Sequence, residues 1–211
     1  MGDQKQESKN LRGAIILAGG DSKRLGQPKA LLEFNGRRLI ELVVGILSEY
    51  FQEITVVTDR PDLYGYLPVR LTGDLIKSEQ KSPLRGIHAG LSASMLPYQF
   101  VAACDMPFLR LELIKYMAGF AGANDAVVPR IGKHYQPLHA FYQRSCIGII
   151  EKQVCRGEYK ITDFYRHLKV RYITLSEITR FDPDQESFIN INTWADYKKS
   201  LALMAGRRET S

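Results

Sequence analysis

The sequence predicts an α/β fold with a mostly parallel central sheet held between two layers of helices. Three observations carry that prediction. Short runs that are apolar throughout, such as 14–18 and 100–104, have the composition of strands buried on both faces. Between them lie longer stretches whose apolar residues recur at helical spacing. The two kinds of stretch alternate along the chain, the order that builds parallel strands joined by crossover helices. With 211 residues the chain is long enough for one such domain with a sizeable core. The domain is expected over 13–205, with a flexible tail at 1–12 and another at 206–211.

Residues 14–18 form the first strand and run into Gly19-Gly20, where the chain can turn sharply. Residues 31–34 with Asn35-Gly36 read as a short extended piece closed by a turn. The stretch 39–51 carries Leu39, Leu42, Val43, Ile46, Leu47 and Tyr50 at helical spacing. Strands are predicted at 53–58 and 69–71, with a helical turn at 64–67 between them. A polar loop over 76–83 leads into a helix at 84–95, opened by Ser82-Pro83. The strand 100–104 delivers Asp105, and a helix over 111–120 follows. Then come strands at 125–129 and 138–142 and helices at 145–154 and 159–167. Strands at 170–175 and 187–191 and a helix over 194–204 close the prediction. Open parallel sheets bind ligands beyond the carboxyl ends of their strands. Gly19, Asp74 and Asp105 all fall at such ends.

Composition narrows the function. Hydrophobic residues make up 45% and charged residues 25%, ordinary for a soluble globular protein. No apolar run approaches the roughly 18 residues of a membrane span, and 1–12 lacks the apolar stretch of a signal peptide. No membrane partner is expected. Lys and Arg number 29 against 23 Asp and Glu, a net charge of +6. The basic residues are scattered and no stacking motif accompanies them, which favours small anionic ligands over nucleic acid. Cys104, Cys146 and Cys155 form no C-x-x-C pair and are odd in number, so buried, reduced thiols and a cytoplasmic location are expected. Four histidines without H-E-x-x-H spacing argue against zinc.

The informative stretch is 17–29. It supplies backbone N–H groups, the Ser22 hydroxyl and the cations Lys23, Arg24 and Lys29 at a strand's carboxyl end, a combination that suits polyphosphate. It is neither G-x-x-x-x-G-K-[ST] nor G-x-G-x-x-G. It does match L-A-G-G-x-S-x-R-[ML]-G-x-x-K at every fixed position: Leu17, Ala18, Gly19, Gly20, Ser22, Arg24, Gly26 and Lys29. Leu25 takes the slot where Met is usual. The run resembles the signature of the NTP-transferase superfamily, and most closely that of the molybdenum cofactor guanylyltransferase family. The resemblance implies a three-layer α/β/α, Rossmann-like nucleotidyltransferase fold with a nucleotide site built from these residues.

Asp105 ends a strand. A carboxylate beside a triphosphate repels it unless a cation lies between, and Mg²⁺ takes few carboxylates and completes its shell with phosphate oxygens and water. Asp105 is therefore expected to hold Mg²⁺; the plainer reading is a helix cap. Asp105-Met106-Pro107 is similar to the family's Asp-Met-Pro. Asp74 resembles the family's acidic residue at the guanine–ribose end, the plainer reading being a solvated turn. Pro83-Leu84-Arg85-Gly86 resembles G-P-L-x-G with Ser82 replacing the first Gly, and Gly86 is expected to leave room for ligand. Asn190-Ile191-Asn192-Thr193 resembles N-x-N-T-P, with Trp194 in place of Pro. Alternation puts Asn190 and Asn192 on one face of an extended segment, where two amides can orient the acceptor; otherwise Asn192 or Thr193 only caps the last helix. Asp196, in that helix's first turn, is expected as a dipole partner. The resemblance also places Gln136 and Lys160 on the acceptor side.

The resemblance covers about 13–197 and implies transfer of GMP from GTP to the terminal phosphate of molybdopterin (Mo-molybdopterin), with release of pyrophosphate. It implies Mg²⁺ as cofactor, and other molybdenum cofactor biosynthesis proteins and molybdoenzyme chaperones as partners. A phosphate monoester has a second pKa of about 6, so such an acceptor is ionised at neutral pH and needs no general base. Arg24, Lys29 and Asp105 would then act by positioning and charge neutralisation. The alternatives are a sister transferase, using CTP on molybdopterin or an NTP on a sugar or alditol phosphate, and a GTP-binding regulator. CTP-using relatives tend to carry Leu-Ala-Ala-Gly where this chain has Leu-Ala-Gly-Gly, and a regulator has no need of Arg24, Lys29 and Asp105 together.

Overall fold

The computed structural model describes residues 12–19, 26–78, 80 and 82–209. Ten strands are assigned among them: β1 (Arg12–Leu17), β2 (Glu33–Phe34), β3 (Arg37–Arg38), β4 (Ile54–Val57), β5 (Arg70–Thr72), β6 (Tyr98–Ala103), β7 (Ala126–Ile131), β8 (His134–Tyr135), β9 (His139–Gln143) and β10 (Val170–Ile173). The main sheet runs β10-β7-β9-β6-β1-β4-β5, with β8 paired to β7. Its β1–β4, β1–β6, β4–β5 and β7–β10 pairings are parallel, whereas β9 runs antiparallel to both β6 and β7. β2 and β3 form a separate hairpin turned at Asn35-Gly36, both at positive φ.

The helices are α1 (Leu39–Ser48), α2 (Pro83–Ser92), α3 (Leu111–Ala118), α4 (Cys146–Cys155), α5 (Ile161–Phe164), α6 (Leu175–Ile178) and α7 (Trp194–Glu209). The strand period of two divides the core between two faces of the sheet. Ala14 and Ile16 join Val43, Leu47, Leu113 and Met117, the layer of α1 and α3. Ile15 joins Leu84, Ile87, Leu91 and Ile150, the layer of α2 and α4. β6 divides the same way, with Phe100 and Ala102 on one face and Val101 on the other. Each fully buried Ile, Leu or Phe of these layers contributes about 1.5–3 kcal/mol. The predicted three-layer architecture is the one observed. Among the described residues, no helix is long and apolar enough to cross a membrane.

Several elements depart from expectation. Residues 187–191 form no strand. The fully buried Asp182 accepts hydrogen bonds from the backbone N–H of Glu186 (3.0 Å) and Ser187 (2.8 Å), which closes a 3₁₀ turn at Glu186–Phe188. The turn expected at 64–67 lies upstream, at Pro61–Leu63, where Pro61 presets the backbone. The helix expected at 159–167 is α5 followed by a 3₁₀ turn at Tyr165–His167. α6 was not foreseen, although Thr174 and Glu177 form a capping box. Arg12 already belongs to β1, and α7 continues through positions expected as tail.

Candidate functional site

The parallel registers bring three strand ends level. Leu17 sits opposite Val57 of β4 and Ala103 of β6. Beyond those ends, Ala18 N–H donates to the Val57 carbonyl at 2.9 Å and Cys104 N–H to the Leu17 carbonyl at 3.1 Å. The first loop and Asp105 therefore leave the sheet side by side. Because β9 is antiparallel, its start, His139, lies opposite Ala102, so the turn carrying Gln136 emerges at this same edge.

A small apolar cluster then gathers three distant pieces of chain. Leu32, Phe34, Leu39, Phe108 and Ile191 are buried together, with Tyr197 and Leu201 packed against them. Phe34 meets Phe108 and Tyr197 edge to face, at centroid separations of 6.0 and 5.9 Å. Tyr197 Oη donates to the Glu33 carbonyl at 2.7 Å. Each piece carries a polar residue within three positions of the cluster: Lys29 near Leu32, Asp105 near Phe108 and Asn192 beside Ile191. Packing thus makes a site of residues that lie far apart in sequence.

At that site Lys29 Nζ stands 3.1 Å from Asp105 Oδ2 and donates to Asn192 Oδ1 at 2.5 Å. The Asp105 carbonyl accepts from Ile191 N–H at 3.0 Å, which ties the Asn192 segment to the strand end. Asn192 is steadied from the other side by a cap. Asp196 Oδ2 accepts from Asn192 N–H (3.0 Å) and Thr193 N–H (2.8 Å), while Thr193 Oγ1 accepts from Asp196 N–H (3.1 Å). The Thr193 side chain first, then the Asn192 and Thr193 N–H groups, hold the Asp196 carboxyl below its ordinary range. Asp196 is the dipole partner expected, Thr193 is the N-cap, and Asn192 is left to face Lys29. Asn190 does otherwise: its Nδ2 donates to the Phe188 carbonyl at 3.2 Å.

Asp105 is 8% exposed, and its Oδ1 is buried without a hydrogen-bond partner among the described residues. An unpartnered buried carboxylate oxygen is costly, and a cation would relieve it. Among the described residues no cluster of three His, Cys, Asp or Glu exists to build an all-protein metal cage.

The nucleotide-loop residues Gly20, Ser22 and Arg24 lie outside the described residues. Gly26 sits at φ +72°, a conformation that favours glycine. A Cβ added at Gly19 would meet no heavy atom within 4 Å among the described residues, so the backbone there is open to close approach. Gly86 lies against Leu17: a Cβ there would stand 3.1 Å from Leu17 Cδ2, where α2 meets β1. Asp74 is not a freely solvated turn residue, since its Oδ2 pairs with Arg85 Nη2 at 3.2 Å. Lys160 is exposed, 3.9 Å from Asp163 Oδ1, and helps line an open groove of about 410 Å³ with Gln80, Ser82, Pro83, Glu158, Tyr159 and Asp163. None of Lys29, Asp105 or Asn192 lines that groove. Gln136 is half-buried, its N–H donating to the Pro129 carbonyl at 2.9 Å.

Two buried groups beside the site are chemically quiet. His139 is fully buried between Phe100 and Phe188, and burial pushes its pKa down to about 3, so the ring is neutral. Burial, then the neighbouring Asp105, pushes the Cys104 thiol up, so it holds its proton. Cys104 and Cys146 are buried as expected, but Cys155 is exposed at the end of α4, and all three are free. Sequence reasoning passed over Arg85 and Asp182. Arg85 could have been found as the one Lys, Arg, Asp or Glu in the run 84–91, which otherwise holds apolar or small residues and His88; Asp182, in a polar loop, offered no comparable sign.

A family model described as a MobA-like NTP transferase domain matches residues 14–172. The probable molybdenum cofactor guanylyltransferase of Peptoclostridium acidaminophilum is 37% identical over 193 residues, spanning 88% of this chain and 86% of the relative. The molybdenum cofactor guanylyltransferase of Desulfosudis oleivorans is 38% identical over 197 residues, spanning 92% and 96%. Among solved structures, a molybdopterin-guanine dinucleotide biosynthesis protein A from Archaeoglobus fulgidus aligns with a TM-score of 0.81 and 28% identity, over 92% of this chain and 99% of its own.

Proposed function

This chain belongs to the MobA-like NTP transferase family, alongside the molybdenum cofactor guanylyltransferases, and on that premise we propose that it joins GMP from GTP to the terminal phosphate of molybdopterin. Pyrophosphate is the leaving group. The observation that carries the reading is the Lys29–Asp105–Asn192 constellation beyond the carboxyl ends of β1 and β6. It joins a cation that can meet phosphate, a carboxylate that can hold a metal and an amide that orients the cation.

Lys29 brings a cation to the phosphates, and the sequence motif adds Gly19, Gly20 and Arg24 to that role. Asp105, through its unpartnered Oδ1, would hold Mg²⁺, which when bound withdraws charge from the α-phosphate. Asn192 Oδ1 fixes the Lys29 ammonium, so the charge is aimed before ligand arrives. The acceptor phosphate is already ionised near neutral pH, its second pKa being about 6, so no side chain need remove a proton. Neutral, enclosed His139 accords with that. Asp74 is read as the acceptor for guanine N1–H and the 2-amino group, and Asn190, Gln136 and Lys160 are read as facing the acceptor.

The test is pyrophosphate release with molybdopterin as acceptor and each NTP in turn, with Mg²⁺. kcat/KM for GTP should exceed that for CTP and ATP by at least about a hundredfold, since a site built for guanine donors leaves its acceptors unpaired with another base. Equal rates with CTP and GTP would remove the guanylyl assignment and leave the nucleotidyltransferase fold standing.

A further inference from the structure

One buried cation has no part in the proposed transfer. Arg85, in the first turn of α2, is 7% exposed, within a helix whose residues Leu84 to Leu91 are all buried. Its Nη2 pairs with Asp74 Oδ2 at 3.2 Å. Its Nη1 donates to the carbonyls of Ser78 at 2.9 Å and Gln80 at 3.1 Å. One side chain therefore grips the loop between β5 and α2 at three points. Tyr159 holds the same loop from outside: its hydroxyl lies 2.8 Å from Ser78 Oγ, and its carbonyl accepts from Ser82 Oγ at 2.8 Å. Arg85 is the buried member of the pair and Asp74 the exposed one, so removing Asp74 leaves a buried guanidinium without its counter-charge, and guanidinium and loop depend on each other.

We propose that Arg85 is a positioning residue for base recognition: its guanidinium fixes the loop and one oxygen of Asp74, so that the other oxygen meets the base in a single place. The inference rests on the reading of Asp74 as the carboxylate that faces guanine. Charge gives one reason for the arrangement. A bare carboxylate near a triphosphate repels it, and Arg85 supplies the neutralising cation from inside the protein. Geometry gives another. A planar fork can serve a carboxylate and two carbonyls together, which a single ammonium does less well.

The experiment compares GTP with ITP, which lacks the 2-amino group, in pyrophosphate release with molybdopterin. The enzymes are the unaltered protein, Arg85→Leu, Arg85→Lys, Asp74→Asn and the Arg85→Leu/Asp74→Asn double variant, each checked for folding by its Tm. The unaltered enzyme should prefer GTP. Arg85→Leu should cut that preference at least about tenfold, through KM for GTP, with kcat held within about threefold. Arg85→Lys, which keeps a cation in the same space and serves if the leucine variant does not fold, should lose part of the preference. The double variant should be no worse than the more damaged single one, because both act on one contact. A preference for GTP that survives in every folded Arg85 variant, or losses at the two positions that simply add, overturns the proposal. If the unaltered enzyme uses ITP as well as GTP, the reading of Asp74 fails and Arg85 loses its role with it.

Discussion

Asp105 divides two tasks between its two carboxylate oxygens: Oδ2 faces Lys29, and Oδ1 is buried without a partner among the described residues. The substitution Asp105→Asn preserves shape and hydrogen bonding but removes the charge a metal needs. Turnover should fall by orders of magnitude, while GTP affinity falls far less, because the loop still meets the phosphates. Near-normal turnover in that variant ends the metal assignment. Lys29 should behave differently. Lys29→Ala removes a point charge from the phosphates, so affinity should drop more for GTP than for guanosine. Equal losses for the two, measured by calorimetry, mean that Lys29 does not meet phosphate.

At the scale of elements, the cap of α7 sits where stability and function meet. Asp196→Ala deletes the acceptor for the Asn192 and Thr193 N–H groups, which should lower Tm. Because Asn192 is positioned by the same bonds, KM for the acceptor should rise as Tm falls. A lowered Tm with an unchanged acceptor KM would show that the cap is structural only. This region also marks where sequence reading stops. β1, β6 and the helices over them were legible because apolar runs and helical spacing state their own burial. Asn192 and Asp196 were legible as residue types. The turn at Glu186–Phe188 was not, since it depends on Asp182, whose buried carboxylate lies 3.9 Å from Arg110 Nε and holds the turn's backbone. An apolar pattern that reads as a strand, 187–191, was overruled by that one side chain. Nor did the sequence show that Gly86 faces Leu17, because that partner lies in another element.

Over the whole molecule, acid should be the sensitive direction. His139 has its folded-state pKa depressed to about 3, against an ordinary value of 6.5. Below pH 6.5 the unfolded chain therefore binds a proton that the folded protein refuses. Stability is full above that pH and falls towards pH 3, by at most about 1.4 kcal/mol per unit from this group. Glu177 adds to the loss lower down. Burial opposes its ionisation, but bonds from Thr174 and Tyr116 and the charge of Arg171 bring its pKa to about 2 from 4.5. Its contribution is present above pH 4.5 and disappears as pH falls towards 2. Tm measured from pH 7 to 4 should decline less steeply in His139→Leu than in the unaltered protein. Parallel curves would show that the ring does not govern the acid limb.

The apolar cluster of Leu32, Phe34, Leu39, Phe108 and Ile191 has a consequence for how the protein comes into being. It joins residues near both ends of the chain, and a ribosome delivers the last of them last. The paired strands from β1 to β9 are made well before Asn192 and α7 emerge, and chains fold from the N-terminal side as they are synthesised. A nascent chain can therefore own a sheet before it owns a site. On that order Lys29 and Asp105 wait as neighbours until the segment that carries their amide, Asn192, has emerged.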